Sequence, residues 1–144
     1  MENVNLAAAP HAAGQVIFHV IWNTKYKYKM LAKPRFFAAC ETSIKRAAEK
    51  HNIKVIECGA MPNHVHVVIA IPLSMSIASA VQILKGSSSH ELFTFEPRQR
   101  LRYPRGRYWA RGYFARSVGD ADLQTIRAYV REGNDPRQRT LTAN

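Results

Sequence analysis

Apolar and polar positions along the chain change period several times, and each change predicts an element. Residues 15 to 22, QVIFHVIW, are a β-branched and aromatic run that predicts a strand. A polar stretch, NTKYKYKML, follows, and Pro34 then suits the first turn of a helix. Along that helix Phe36 or Phe37, Cys40, Ile44, Ala47 or Ala48 and His51 recur at helical spacing, and Asn52 ends it. IKVIEC, residues 53 to 58, predicts a second strand, Gly59 to Asn63 a turn, and HVHVVIAI, residues 64 to 71, a third strand. Ser76 predicts the cap of a helix carrying Ile77, Ala80, Val81 and Leu84, which runs into the phosphate-friendly stretch KGSSSH and a second helical piece ending near Pro97. The arginine-rich segment PRQRLRYPRGRYWARGYFARSV ends in a strand at about Gly112 to Val118. Asp120 or Asp122 caps a last helix with Leu123, Ile126 and Val130 on its inner face, and Gly133 ends it.

Strand, helix, strand, strand, helix, strand is the split βαβ order of ferredoxin-like domains. It predicts an α+β protein whose antiparallel sheet carries helices on one face and leaves the other able to carry a site. The 144 residues suit one domain, 15 to 134, with a flexible leader over 1 to 14 and a polar tail over 135 to 144.

Charge narrows the partners. Twenty-one Lys and Arg against ten Asp and Glu leave a formal charge of +11, a field that attracts polyanions. No basic amphipathic helix offers an apolar face to lipid, so nucleic acid is favoured over a membrane. The N-terminal stretch lacks a basic start and a sustained apolar core, and Cys40 and Cys58 stand far apart, as reduced core residues do. These features predict a cytoplasmic protein.

The third strand holds the most telling pair. In PNHVHVVI, His64 and His66 stand at i and i+2 and so project from one face. Imidazole is a frequent ligand of divalent metals, so the pair reads as a metal or phosphate site; solvent-exposed or hydrogen-bonded structural histidines are the alternative. Elsewhere, KYKYKM interleaves Lys25, Lys27 and Lys29 with Tyr26 and Tyr28, which suits phosphate contact and base stacking from one loop. Arg98, Arg100, Arg102, Arg105, Arg107 and Arg111 beside Tyr103, Tyr108 and Trp109 read the same way, and Lys85 with Ser87 to Ser89 suits backbone phosphate. A merely solvated charged face, or for KGSSSH a plain helix junction, is the alternative.

PNHVHVVI resembles the histidine-hydrophobic-histidine signature of the HUH endonucleases. With FHVIWNTKYKYKML, LKGSSSHELF, YWARGYFARSVG and TIRAYVREGN, the chain resembles the single-tyrosine transposases of insertion sequences from about Gln15 to Asn134. The resemblance implies an HUH-type ferredoxin-like fold and an enzyme that cleaves and rejoins single-stranded DNA through a 5′-phosphotyrosine. Carried over by position, His64 and His66 help hold a divalent metal, Mg²⁺ or Mn²⁺, and Tyr129 is the nucleophile. It also implies a DNA hairpin as partner and a homodimer in which one subunit's tyrosine helix can complete the other's site. The family's third ligand, a glutamine four residues after the tyrosine, is Gly133 here. Glu132 is favoured in its place for its carboxylate, with Asn134 as the alternative.

Those residue types suit that chemistry. A phenol has a reference pKa of about 10, so roughly 4 kcal/mol of activation is needed at neutral pH. A cation on the phosphate offsets developing charge by several kcal/mol. One phosphodiester replaces another, so no nucleotide cofactor is expected, and no Gly-rich nucleotide loop occurs. On residues alone, Tyr129 beside Ile126 and Val130 suits plain helix packing better than catalysis; the nucleophile role comes from the resemblance. Two other function classes stay open: a ferredoxin-like module that binds single-stranded DNA or RNA without cutting it, and a related HUH nickase or domesticated, repeat-associated transposase.

Overall fold

The computed structural model describes residues 14–132. The expected leader and tail, and with them Gly133 and Asn134, fall almost wholly outside those residues. Four strands and three α-helices follow in the order β1 (Gln15–Asn23), α1 (Pro34–Lys50), β2 (Lys54–Met61), β3 (His64–Pro72), α2 (Ile77–Phe95), β4 (Phe114–Ser117) and α3 (Asp120–Glu132). The sheet order is β2-β3-β1-β4, with every neighbouring pair antiparallel. This is the split βαβ sheet expected from the periodicity. Among the described residues no helix is long and apolar enough to cross a membrane.

Alternation along β3 separates two layers. Val65, Val67, Ile69 and Ile71 join Ile44 and Cys40 of α1, Leu84 and Leu92 of α2, and Trp22 of β1 in the main core. Val68, on the opposite face, packs with Val118, Ile126 and Val130, flanked by Ile17, Ile56 and Leu123. Helices on one face therefore describes α1 and α2 only; α3 lies on the other. The reason is its own pattern: Ile126 and Val130 are one helical turn apart and need an apolar surface, which Ile17, Ile56 and Val68 supply.

Two local expectations change. The anticipated turn over Gly59 to Asn63 shrinks to Pro62 and Asn63, because β2 runs on through Met61. Gly59 is a strand residue paired with His66, where a Cβ would run into the Val130 carbonyl of α3. The glycine permits close approach of helix to strand. Likewise α2 is continuous through KGSSSH: Ser76 caps it by accepting from the Ser79 N–H at 3.0 Å, and buried Ser88 donates to the Leu84 carbonyl at 2.7 Å. Helical bonding leaves that stretch no backbone loop for phosphate.

These placements give opposite expectations for two glycines. Gly59→Ala should lower the unfolding free energy by about 1–3 kcal/mol through forced displacement of α3. Gly86→Ala, in open space within α2, should raise it by about 0.5–1 kcal/mol. Urea denaturation of the two variants checks both signs.

Candidate functional site

The residues that interrupt the apolar runs of β1, β2 and β3 gather on the α3 side of the sheet. Register explains this: β3 pairs His64 with Asn23 and Met61, His66 with Ile21 and Gly59, and Val68 with His19 and Glu57. Paired residues share a face, so His19, Glu57, Gly59, His64 and His66 all lie beneath or beside α3. A β-bulge between Val55 and Glu57 turns Ile56 and Glu57 to that side together. On the edge strand Arg116, exposed, pairs with His19 and joins the same face.

His64 and His66 are 6% and 0% exposed, and their ring centroids stand 4.9 Å apart. The rings thus avoid the main core yet lie under cover. His64 Nδ1 faces Asn63 Oδ1 at 2.8 Å, an acceptor, so Nδ1 carries the proton and the lone pair lies on Nε2. His66 Nδ1 is 3.3 Å from Nε2 of His19, itself 4% exposed. Two same-face imidazoles with engaged δ nitrogens are a donor set fit for part of a divalent-cation shell. Among the described residues no group of three His, Cys, Asp or Glu side chains forms a complete one. Glu132 is the exposed last residue of α3.

Helix α3 is held on the face that carries the histidines by three restraints besides its apolar stripe. Glu57 Oε2 accepts from Arg127 Nε at 3.1 Å and from Arg131 Nη2 at 3.0 Å. Gly59 admits the Val130 backbone beside the strand position paired with His66. Tyr129, half-buried, precedes Val130 on this last turn. The helix belongs to the same chain as the sheet it covers. Burial of Glu57 acts to raise its pKa, but the hydrogen bonds and charges of Arg131 and Arg127 outweigh it and hold the carboxyl below its ordinary range.

At the end of the sheet where β1 finishes and β3 begins, the basic loop is tied down. Thr24 N–H donates to the Asn63 carbonyl at 2.9 Å, Leu31 N–H to the Pro62 carbonyl at 2.9 Å, and Lys25 N–H to the Tyr108 carbonyl at 2.9 Å. Within it Tyr26 and Lys27 take positive φ, 61° and 54°, a strained left-handed turn that leaves Tyr26 64% exposed. Lys25, Tyr26, Tyr103, Pro104, Arg105 and Arg107 line a cleft of about 300 Å³. Two basic segments nearly eighty residues apart in the chain therefore meet next to Thr24, whose N–H is bonded to Asn63. Lys29 and Arg111 are exposed outside this cleft lining.

Other expected contacts have internal duties. Lys85 donates to the carbonyls of Ala110 and Gly112 at 2.8 and 2.9 Å, and burial lowers its pKa. Ser87 is half-buried inside α2. Tyr103, Tyr108 and Trp109 are core residues, 2%, 0% and 7% exposed, so most of their ring surface is covered. Tyr103 Oη donates to the Lys25 carbonyl at 2.8 Å, and burial pushes its pKa up to about 12. Cys40 and Cys58 are free thiols in the core, and burial pushes the Cys58 pKa up to about 12. Sequence reasoning passed over His19, Glu57, Gly59 and Asn63. The first two were visible as polar breaks in apolar strands, but only register shows that they face α3.

Solved structures share this architecture. A transposase structure from Deinococcus radiodurans aligns with a TM-score of 0.71 at 20% identity, covering 93% of this chain and 98% of that one. The structure of a REP-associated tyrosine transposase bound to a REP hairpin aligns at 0.59 with 11% identity, covering 80% and 64%. The fold is that of the HUH tyrosine transposases. In sequence, the chain is 30% identical over 120 residues to the transposase of insertion element IS200 from Salmonella typhimurium, spanning 78% of each. It is 25% identical over 121 residues to the ISDra2 transposase TnpA of Deinococcus radiodurans, spanning 84% of this chain and 86% of that protein. Residues 12–133 match the family described as "Transposase IS200 like", and the chain belongs to that family of transposases.

The Glu57 contact sets a pH dependence. A carboxyl whose folded pKa is lowered stabilises the native state above its unfolded pKa, and the contribution is lost as pH falls through the folded value. Between pH 7 and pH 3 the parent should therefore lose more stability than Glu57→Gln, by about 1 kcal/mol or less given the exposure of Arg131. Urea unfolding across that range tests it.

Proposed function

We propose that this transposase cleaves and rejoins single-stranded DNA, with Tyr129 as the nucleophile. The observation that carries the reading is the placement of the last turn of α3 beside the strand position paired with His66. In the proposed step Tyr129 Oη attacks a DNA phosphorus, the bond from phosphorus to the 3′ oxygen breaks, and that oxygen leaves as a 3′-hydroxyl once protonated. The 5′-phosphate is then held on the tyrosine. Attack by a 3′-hydroxyl on that linkage reverses the exchange and frees the phenol, so no external energy source is needed.

The donor set fits a divalent cation such as Mg²⁺ or Mn²⁺, which His64 and His66 would hold, with Glu132 as the candidate third ligand. Such an ion would supply Lewis-acid polarisation of the scissile phosphate. The chain's own groups do the rest. Asn63 orients His64 through its δ nitrogen, Glu57 and Gly59 seat α3, and Arg116 brings a positive charge to the same face. The cleft of Lys25, Tyr26, Arg105 and Arg107 is the candidate DNA surface, with Lys27, Lys29 and Arg111 adding exposed charge nearby in sequence. The relative bound to a REP hairpin supports a hairpin as the partner. Action as a homodimer is part of this proposal. Gly133 in the position of the family glutamine favours a second reading, binding without cleavage.

Covalent trapping separates the two. Incubation with a 3′-end-labelled, hairpin-bearing single strand and Mg²⁺ or Mn²⁺ should give a protein–DNA adduct on a denaturing gel. Tyr129→Phe should bind that strand like the parent and lose cleavage by about 10³-fold or more. An adduct that persists in Tyr129→Phe overturns the nucleophile, and none from the parent favours the second reading.

Salt dependence tests the cleft. Replacing Arg105 and Arg107 together by alanine should flatten the slope of log affinity against log salt by about 0.7 for each phosphate that the variant leaves unneutralised. Fluorescence anisotropy with a labelled strand at several salt concentrations measures it.

A further inference from the structure

His19 comes from β1, outside the histidine pair, and its surroundings define what it does. Its ring and that of His66 are nearly parallel, 14° apart, yet their centroids stand 5.5 Å apart while the facing nitrogens are at 3.3 Å. Nearly parallel rings whose nitrogens are so much closer than their centres meet edge to edge. The contact is a hydrogen bond between Nε2 of His19 and Nδ1 of His66, not a face-to-face stack. The three histidines form no metal-holding group, in keeping with an ε nitrogen of His19 aimed at His66 and not at a shared centre.

One proton serves this contact, so two arrangements exist. If His19 donated, His66 would carry its own proton on Nε2 and lose the lone pair there. If His66 donates from Nδ1, that lone pair is kept. Along a strand, Nε2 is the ring nitrogen farther from the backbone, with which neighbouring same-face histidines reach a common ligand. His64 already has its Nδ1 committed as a donor to Asn63. A matched pair requires the same of His66.

We propose that His19 is a positioning residue, whose Nε2 accepts from the Nδ1–H of His66 and holds that ring as the tautomer able to ligate through Nε2. The choice of tautomer and its consequence for metal both rest on the reading of His64 and His66 as ligands, but the tautomer itself is measured in the metal-free protein. Partners of this kind fix ring orientation and ligand basicity, and their removal typically weakens metal binding by about 10–100-fold.

The test uses the full chain in two measurements. Long-range imidazole ¹⁵N–¹H correlation spectra of metal-free protein at about pH 8, where imidazole is neutral, should show His66 protonated on Nδ1. His19→Phe should lose this preference, and His19→Gln, whose side-chain oxygen can accept, should retain it. Mn²⁺ titration followed by electron paramagnetic resonance should show binding about 10–100-fold weaker in His19→Phe and near the parent's in His19→Gln. Parent protein with the His66 proton on Nε2 overturns the proposal, whatever the variants do. So does a His19→Phe protein whose tautomer and affinity match the parent's. If His66→Ala binds Mn²⁺ as the parent does, the metal reading fails, and the spectra of the metal-free protein still decide the role of His19.

Discussion

The seating of α3 on β2 is the constraint from which the site follows. Val130 lies on the last described turn of the chain, more than sixty residues after His66, so only a fixed docking of that turn brings α3 to the strand position paired with His66. Shape does part of this, since Gly59 lets the Val130 backbone approach where any side chain would hold it off. Charge does another part, because a single carboxylate oxygen of Glu57 receives both Arg127 and Arg131, one helical turn apart. The apolar contacts of Ile126 and Val130 with Val68 complete it. Charge contacts alone at a partly exposed surface contribute little; steric fit and apolar burial decide where the helix sits.

The same end of the sheet gathers the basic surface. Main-chain hydrogen bonds from Thr24 and Leu31 fasten the basic loop to the Pro62-Asn63 turn, and Tyr103 and Lys25 link it to the arginine-rich segment. The buried aromatics are the scaffold of this arrangement. Tyr108 and Trp109 fill the core under the cleft, Trp109 Nε1 donates to Ser88 Oγ at 3.0 Å, and Lys85 secures the chain after it. Exposed arginines and Tyr26 are then presented on a backbone that cannot easily shift. A polyanion attracted by the overall charge would meet this rim at the end of the sheet where β1 finishes and β3 begins.

Much of this was legible in the sequence because local rules govern it. Strand β1, the Pro34 start of α1, the Ser76 cap of α2 and the shared face of His64 and His66 each depend on a few adjacent residues. What escaped depends on contacts across the chain. Gly59 looks like a turn residue until α3 is placed over it. KGSSSH looks like a loop until Ser88 is seen bonding back to Leu84 within a buried helix face. Tyr103, Tyr108 and Trp109 look like stacking rings beside arginines because sequence adjacency does not reveal that their side chains turn inward. His19 looks like a stray polar residue until register sets it beside His66.

The two faces of the sheet differ in how firmly they hold their helices. The main core joins α1, α2 and three strands through more than twenty buried residues, whereas α3 rests on a cluster with four buried members, plus one carboxylate and one glycine. Elements with few buried apolar contacts open at lower free energy than the core. Helix α3 is held by less apolar burial than α1 and α2. The surface beneath α3 is fixed by the pairing of β3 with β1 and β2, so the face that carries the histidines takes its register from the sheet and not from the helix that covers it.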